Sequence, residues 1–167
     1  PTPGGPTDRL VDELGLRDRV SFVSGIDDTS LGDLIAGAQV AVVPSLYEGF
    51  SLPAAEAMAC GTPLIASHTG ALPEVVGTDG DAGRLIPPGD PELLAKELDA
   101  LLNDDTERSR MGAAAWQRVQ ERFTWRAVAE LTTEHYLSTI DTVTRSSVHP
   151  TDTSTPSTPV RARANKA

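Results

Sequence analysis

A chain of 167 residues and 17.6 kDa is the size of one domain, long enough to bury a core without disulfides or metals. The single cysteine, Cys60, excludes an internal disulfide, and no Cys/His cluster has zinc-ligand spacing, so a metal-free domain in a reducing, cytoplasmic setting is expected. With 14 basic and 24 acidic residues the net charge is −10 and the pI about 4.6, which argues against a nucleic-acid partner and leaves room for a small anionic ligand.

No run of about 18 apolar residues is present, and the chain opens on Pro and Gly, so neither a spanning helix nor a signal peptide is expected. The ends differ from the middle in composition. Five of the six residues PTPGGP are Pro or Gly, and residues 141–167 hold six Thr, four Ser and three Pro. A folded part over 1–140 and a disordered Ser/Thr/Pro-rich tail over 141–167 follow from this.

Along the chain, short β-branched runs alternate with amphipathic stretches, the pattern of βαβ units. Val20–Val23 reads as a strand, and Thr29 or Ser30 as the cap of a helix that turns Leu31, Leu34, Ile35 and Ala38 inward. Val40–Val43 reads as a second strand; being apolar without alternation, it fits a parallel strand covered on both faces. A loop, Pro44–Ser51, leads to a helix over about Leu52–Ala59 with Pro53 near N1 and Gly61 as its stop, then to a strand Leu64–Ser67. Next come a short helix Leu72–Val76, a strand Arg84–Ile86, and a helix opened by Asp90-Pro91, with Leu94, Leu98, Leu101 and Leu102 in one stripe. A helix over about Thr106–Arg122 places Trp116, Val119 and Phe123 on one side, and Thr124 caps a last helix to about Ile140. The order predicts an α/β fold with a doubly wound, Rossmann-like parallel sheet and helices on both faces, whose ligand sits outside the carboxyl ends of the strands.

The loop Pro44-Ser45-Leu46-Tyr47-Glu48-Gly49-Phe50-Ser51 lies at such an end and runs into a helix N-terminus. Gly49 allows a tight turn or close approach of a ligand, and the amides of Ser51, Leu52 and Ala54 are candidate donors to an anion. Glu48 and Glu56 flank the same place. Between Arg19 and Arg84 there is no Lys or Arg, so charge neutralisation is not the loop's task. Carboxylates accept paired hydrogen bonds from vicinal hydroxyls, and a nucleotide-sugar offers hydroxyls at each end with a diphosphate between. Taken singly, Glu56 also reads as a first-turn acid favoured by the helix dipole and Glu48 as a solvated loop residue.

The stretch SLYEGFSLPAAEAMACGTPLIAS, residues 45–67, resembles the E-x7-E signature of the retaining group 1 glycosyltransferases, family 4, with Glu48 and Glu56 as its acids. The likeness extends through LGLRDRVSFVSGI upstream and ALPEVVG, GRLIPPGDPELLAKEL and RFTW downstream, over roughly Gly4 to Ile140. It implies the C-terminal half of a GT-B fold that binds a UDP-, GDP- or ADP-sugar and transfers the sugar with retention. In that family the first acid meets donor-sugar hydroxyls, the amides after it meet sugar and diphosphate, and the second acid grips the ribose. Glu48 would then be the catalytic residue, and Glu48, Gly49, Phe50, Ser51, Leu52 and Glu56 the donor site, with no metal and no cofactor. The family's N-terminal acceptor domain and its basic diphosphate clamp are expected to be missing here, so this chain alone should be inactive; any peripheral membrane association would run through that other domain. Gly4-Gly5-Pro6 resembles the end of a strand and turn, so the chain is expected to start inside the second domain, and Gly70-Ala71 stands where many relatives have two glycines.

Other residues read more plainly. His68 is a polar loop residue bordering the third strand's end, and His135 and His149 have no metal-ligand spacing. Cys60 reads as a small buried hydrophobe, and Trp116 and Trp125 as core residues rather than sugar-stacking ones. Ser45 and Ser51 have no nearby His to activate them, in keeping with a transfer assisted by the donor's own phosphate. The alternatives are a non-catalytic nucleotide-sugar-binding module and, against the E-x7-E spacing, a nucleotide-sugar epimerase.

Overall fold

The computed structural model describes residues 4–147, and these fall into two units that divide between Thr124 and Trp125. The first unit opens with α1 (Pro6–Glu13), a helix that the composition of the first residues conceals. Gly5 is its N-cap, Pro6 opens it, and Asp8 accepts from the Gly4 amide at 2.8 Å. Arg17 folds back to pair with Asp8 and Asp12, each at 2.6 Å. Both carboxyls are thereby held below the usual carboxylate range, Asp8 through the Gly4 amide first and Arg17 second, Asp12 through Arg17.

Val20–Val23, expected as a strand, joins no ladder. The Val20 amide is drawn back to Leu16 O at 3.1 Å, and Phe22 and Val23 are exposed, with no described strand beside them. A strand is defined by its partner, and a β-branched run without one stays irregular. α2 (Asp28–Ala36) is capped two or three residues earlier than expected: the Asp27 carboxylate, not Thr29 or Ser30, accepts the Ser30 amide at 2.9 Å.

The sheet has three parallel strands, β1 (Ala41–Val43), β2 (Leu64–Ser67) and β3 (Arg84–Ile86), in the order β1-β2-β3. Val43 pairs with Ala66 and Ala66 with Leu85, so one face carries Val43, Leu64, Ala66 and Leu85, the other Ile65 and Ile86. α3 (Leu52–Ala59), α4 (Leu72–Val76) and α6 (Asp105–Arg122) cover the first face through Met58, Leu72, Val76 and Ala115. α5 (Pro91–Leu102) covers the second through Leu101, joined by Met111 of α6. This is the α/β architecture with a parallel sheet between helices that the alternation predicts.

Asp90 and Asp104 cap α5 and α6, accepting the Leu93 and Glu107 amides at 2.9 Å each. On α6 the buried stripe is Met111, Gly112, Ala115 and Val119, which leaves Trp116 half exposed instead of in the core. Gly112 lies where a Cβ would come within 2.1 Å of the Gly61 carbonyl oxygen, so α6 packs backbone-close on the end of α3. The second unit is α7 (Trp125–Ser147), which runs past Ile140; Trp125 is 91% exposed and is no core residue either. Most of the tail expected over 141–167 lies outside the described residues. Among the described residues no helix is long and apolar enough to cross a membrane.

Candidate functional site

The loop from Pro44 to Ser51 connects β1 to α3 at the carboxyl end of the sheet, and the turn Thr69–Ala71 leaves β2 beside it. Two hydrogen bonds tie them together: Thr69 Oγ1 donates to Leu46 O at 3.2 Å, and the Ala71 amide donates to Glu48 O at 3.1 Å. The Glu48 carboxylate is partly buried and accepts from Ser45 Oγ at 2.9 Å. That contact occupies one Glu48 oxygen and leaves the other open to accept from a ligand.

The sharp bend of the loop falls at Ser51, not at Gly49. Ser51 adopts a left-handed backbone, φ 76°, while 2% exposed, and is the only non-glycine at positive φ among the described residues. Such a conformation costs roughly 1–2 kcal/mol in an L-residue and concentrates where a site over-determines the backbone. Its hydroxyl accepts the Ala54 amide at 3.4 Å and its carbonyl the Ala55 amide at 3.2 Å. The Ala54 amide, expected to be free for an anion, is therefore taken. In its place, among the described residues, the four consecutive amides of Gly49, Phe50, Ser51 and Leu52 donate to no protein acceptor. Around Gly49 the space where a side chain would be is open.

Phe50 points its ring at Phe123, edge to face with centroids 5.7 Å apart, so it offers the site its backbone and anchors the loop with its side chain. Leu46, Tyr47 and Leu52 are exposed. Glu56 is exposed on α3 and lines a cavity of about 330 Å³ with Asp28, Leu31, Gly32, Ile35, Ala59 and Cys60. Cys60 is only partly buried, its Sγ 3.8 Å from Gly32 O. A second cavity of about 390 Å³ brings His68 together with the Gly77–Gly83 turn, β3 and α5, apart from the two acids. His68 is exposed, and its amide extends the ladder by donating to Ile86 O. No cluster of three or more metal-ligating side chains occurs among the described residues. Sequence reasoning assigned nothing to Thr69 and Gly70; the glycine ahead of the Leu-Pro-Glu segment was the available signal.

Residues 6–118 match the family described as glycosyl transferases group 1. The chain belongs to that family. It is 51% identical over 134 residues to MMP alpha-(1->4)-mannosyltransferase of Mycolicibacterium hassiacum, a match that covers 80% of this chain and 33% of the mannosyltransferase. In structure it resembles sucrose-phosphate synthase from Thermosynechococcus elongatus, with TM-score 0.72 and 40% identity, over 81% of this chain and 34% of that one. It also resembles Anabaena HepE solved in complex with UDP, with TM-score 0.71 and 26% identity, over 79% of this chain and 36% of HepE. This group 1 glycosyltransferase chain thus spans about a third of the length of the relatives it matches. Its sheet and helices are those of the GT-B-like neighbours, and the enzymes it resembles are glycosyl-transferring ones.

Proposed function

We propose that this chain is the donor-binding part of a retaining glycosyltransferase of family 4, which takes a sugar from a UDP-, GDP- or ADP-sugar and delivers it to an acceptor held by other residues of a longer enzyme. The observation that carries the reading is the run of unsatisfied amides from Gly49 to Leu52, set between Glu48 and the α3 helix that bears Glu56. Amides at a helix start suit diphosphate oxygens, and they do so without Lys or Arg, of which residues 20–83 have none. Glu48 is then suited to the sugar hydroxyls and Glu56 to the ribose, each as a paired acceptor. The structures of HepE with UDP and with UDP-glucose, and the 51% identity to a mannosyltransferase, favour a nucleotide-activated hexose.

In the proposed step the bond from the anomeric carbon to the diphosphate oxygen breaks, and the acceptor oxygen bonds to that carbon on the same face. The acceptor's proton leaves on the departing nucleoside diphosphate. The amides of residues 49–52 would stabilise the charge growing on that leaving group, the kind of preorganised donor set that contributes most where charge develops. Glu48 would hold the sugar for the attack, and Ser45 would hold Glu48.

Isothermal titration of the complete enzyme with nucleoside, nucleoside diphosphate and nucleotide-sugar tests this. Glu56→Gln should weaken the diphosphate and the nucleotide-sugar alike, whereas Glu48→Gln should weaken only the nucleotide-sugar. Each lost charged hydrogen bond should cost about 1.5–3 kcal/mol. Full affinity in both variants overturns the assignment, as does sugar transfer by the 167-residue chain on its own.

A further inference from the structure

We propose that Gly70 is a positioning residue: its bare α-carbon is the seat on which the Glu48 peptide rests, and through it the β2–α4 turn sets where the Glu48 carboxylate stands. The inference rests on the reading of Glu48 as the sugar-binding acid. It comes from a distance. A Cβ built on Gly70 would lie 1.9 Å from the Glu48 carbonyl oxygen, 2.9 Å from its carbon and 3.1 Å from its nitrogen. All three neighbours are backbone atoms, so no side chain can swing aside. Gly70 also holds φ at 53°, where an L side chain is strained whatever the space.

The contact belongs to a three-point clamp. Thr69 Oγ1 holds Leu46 O, the Ala71 amide holds Glu48 O, and Gly70 lets the two segments close to hydrogen-bond distance. Glu56 is anchored differently, on α3, whose Ala54, Ala57 and Met58 are buried in the core. The two acids thus answer to different parts of the fold. A side chain at residue 70 must push the Glu48 peptide outward by about 1 Å to reach even a 3.0 Å contact, while leaving α3 where it is. Displacements of about 1 Å are large for a positioned group and can cost roughly 100-fold in rate.

Two readouts decide it. The Ala71 amide reports directly on the Glu48 carbonyl, and its hydrogen exchange can be followed in the 167-residue chain without any ligand. In Gly70→Ala that amide should exchange at least about tenfold faster. The Val75 amide, bonded to Ala71 O, and the Cys60 amide, bonded to Glu56 O, should keep their protection. Thr69→Val, which removes only the bond to Leu46 O, should move the Ala71 amide the same way by less, and serves if Gly70→Ala does not fold. Undiminished protection of the Ala71 amide in Gly70→Ala, or in Thr69→Val if only that variant folds, overturns the proposal.

The second readout is the gain in affinity from UDP to UDP-glucose and from GDP to GDP-mannose in the complete enzyme. Gly70→Ala should lose about tenfold or more of that gain, while the nucleoside diphosphate affinity falls by less, because of the four amides proposed for the diphosphate only that of Gly49 shares the displaced peptide; general destabilisation does not produce that split. Glu48→Gln is the companion variant. If it leaves the gain intact, the reading of Glu48 fails, and Ala71 exchange still judges the clamp. If it removes the gain and Gly70→Ala does not, the positioning role fails while the site stands.

Discussion

Ser51 concentrates the residue-scale physics of the loop. Held at φ 76° and 2% exposed, it leaves its own amide and that of Leu52 without an acceptor among the described residues while its hydroxyl and carbonyl satisfy Ala54 and Ala55. Glycine would adopt this backbone freely, and replacing Ser by Gly at an N-cap costs only a few tenths of a kcal/mol. Ser51→Gly should therefore raise unfolding stability by about 1 kcal/mol in urea titration and leave nucleotide binding close to that of the parent, since the proposed site uses the backbone. A β-branched side chain cannot take the conformation cheaply, and Ser51→Val should lose about 1–3 kcal/mol. A Ser51→Gly variant less stable than the parent would mean that the hydroxyl, and not the bend, is what the position requires.

At the scale of elements, capping and close packing set where the helices that carry the site begin and end. The Asp27 carboxyl of α2 is held below the usual carboxylate range by the Ser30 amide first, then by the Ser30 hydroxyl. A carboxyl with a depressed folded-state pKa contributes stability that is present above its ordinary value and lost as pH falls through the folded one. The start of α2 should accordingly lose order on the acid side of about pH 4, seen as faster exchange of the Leu31 amide. Asp27→Asn keeps a capping oxygen and should flatten that dependence; an unchanged acid profile in the variant would remove Asp27 as its cause. α3 is held from its other end by Gly112. Because a Cβ there would meet the Gly61 carbonyl at 2.1 Å, Gly112→Ala should destabilise the domain by about 1–3 kcal/mol in denaturant titration, and a neutral result would contradict the tight α3–α6 approach.

How far these elements could be read from the residues depended on how local their causes were. α3, β2, α4 and β3 come out residue for residue, because Pro at a helix start, Gly at its end and short apolar runs between such signals are local features. α1 was hidden by the Pro/Gly composition before it, although Pro6 following Gly5 and the acid Asp8 in the first turn are helix-start signals in their own right. Val20–Val23 has strand composition and lacks a strand to pair with, which no local pattern reveals. At the site, the place of the loop, between a strand's carboxyl end and a helix start, was legible from the order of elements, whereas Glu48 and Glu56 were singled out by the E-x7-E resemblance. The bend at Ser51 and the contact of Gly70 with Glu48 were not, because each depends on where a distant turn is brought by the sheet.

Across the whole molecule, the proposed reading asks an acidic chain to hold a doubly negative group. Arg84 is engaged by Glu97 and Glu107, and Arg110 by Asp81 and Glu107, none of them in the loop over 44–51. The proposed account therefore places the diphosphate on amides and the hydroxyls on Glu48 and Glu56. The most direct test is a map of ¹H–¹⁵N shifts in the 167-residue chain as UDP-glucose, GDP-mannose and ADP-glucose are added in turn to millimolar concentration. The account predicts that at least one of them moves the amides of Gly49, Phe50, Ser51 and Leu52 most. Shifts gathered instead around His68 and the Gly77–Gly83 turn, or none at residues 49–52 with any of the three, would contradict it.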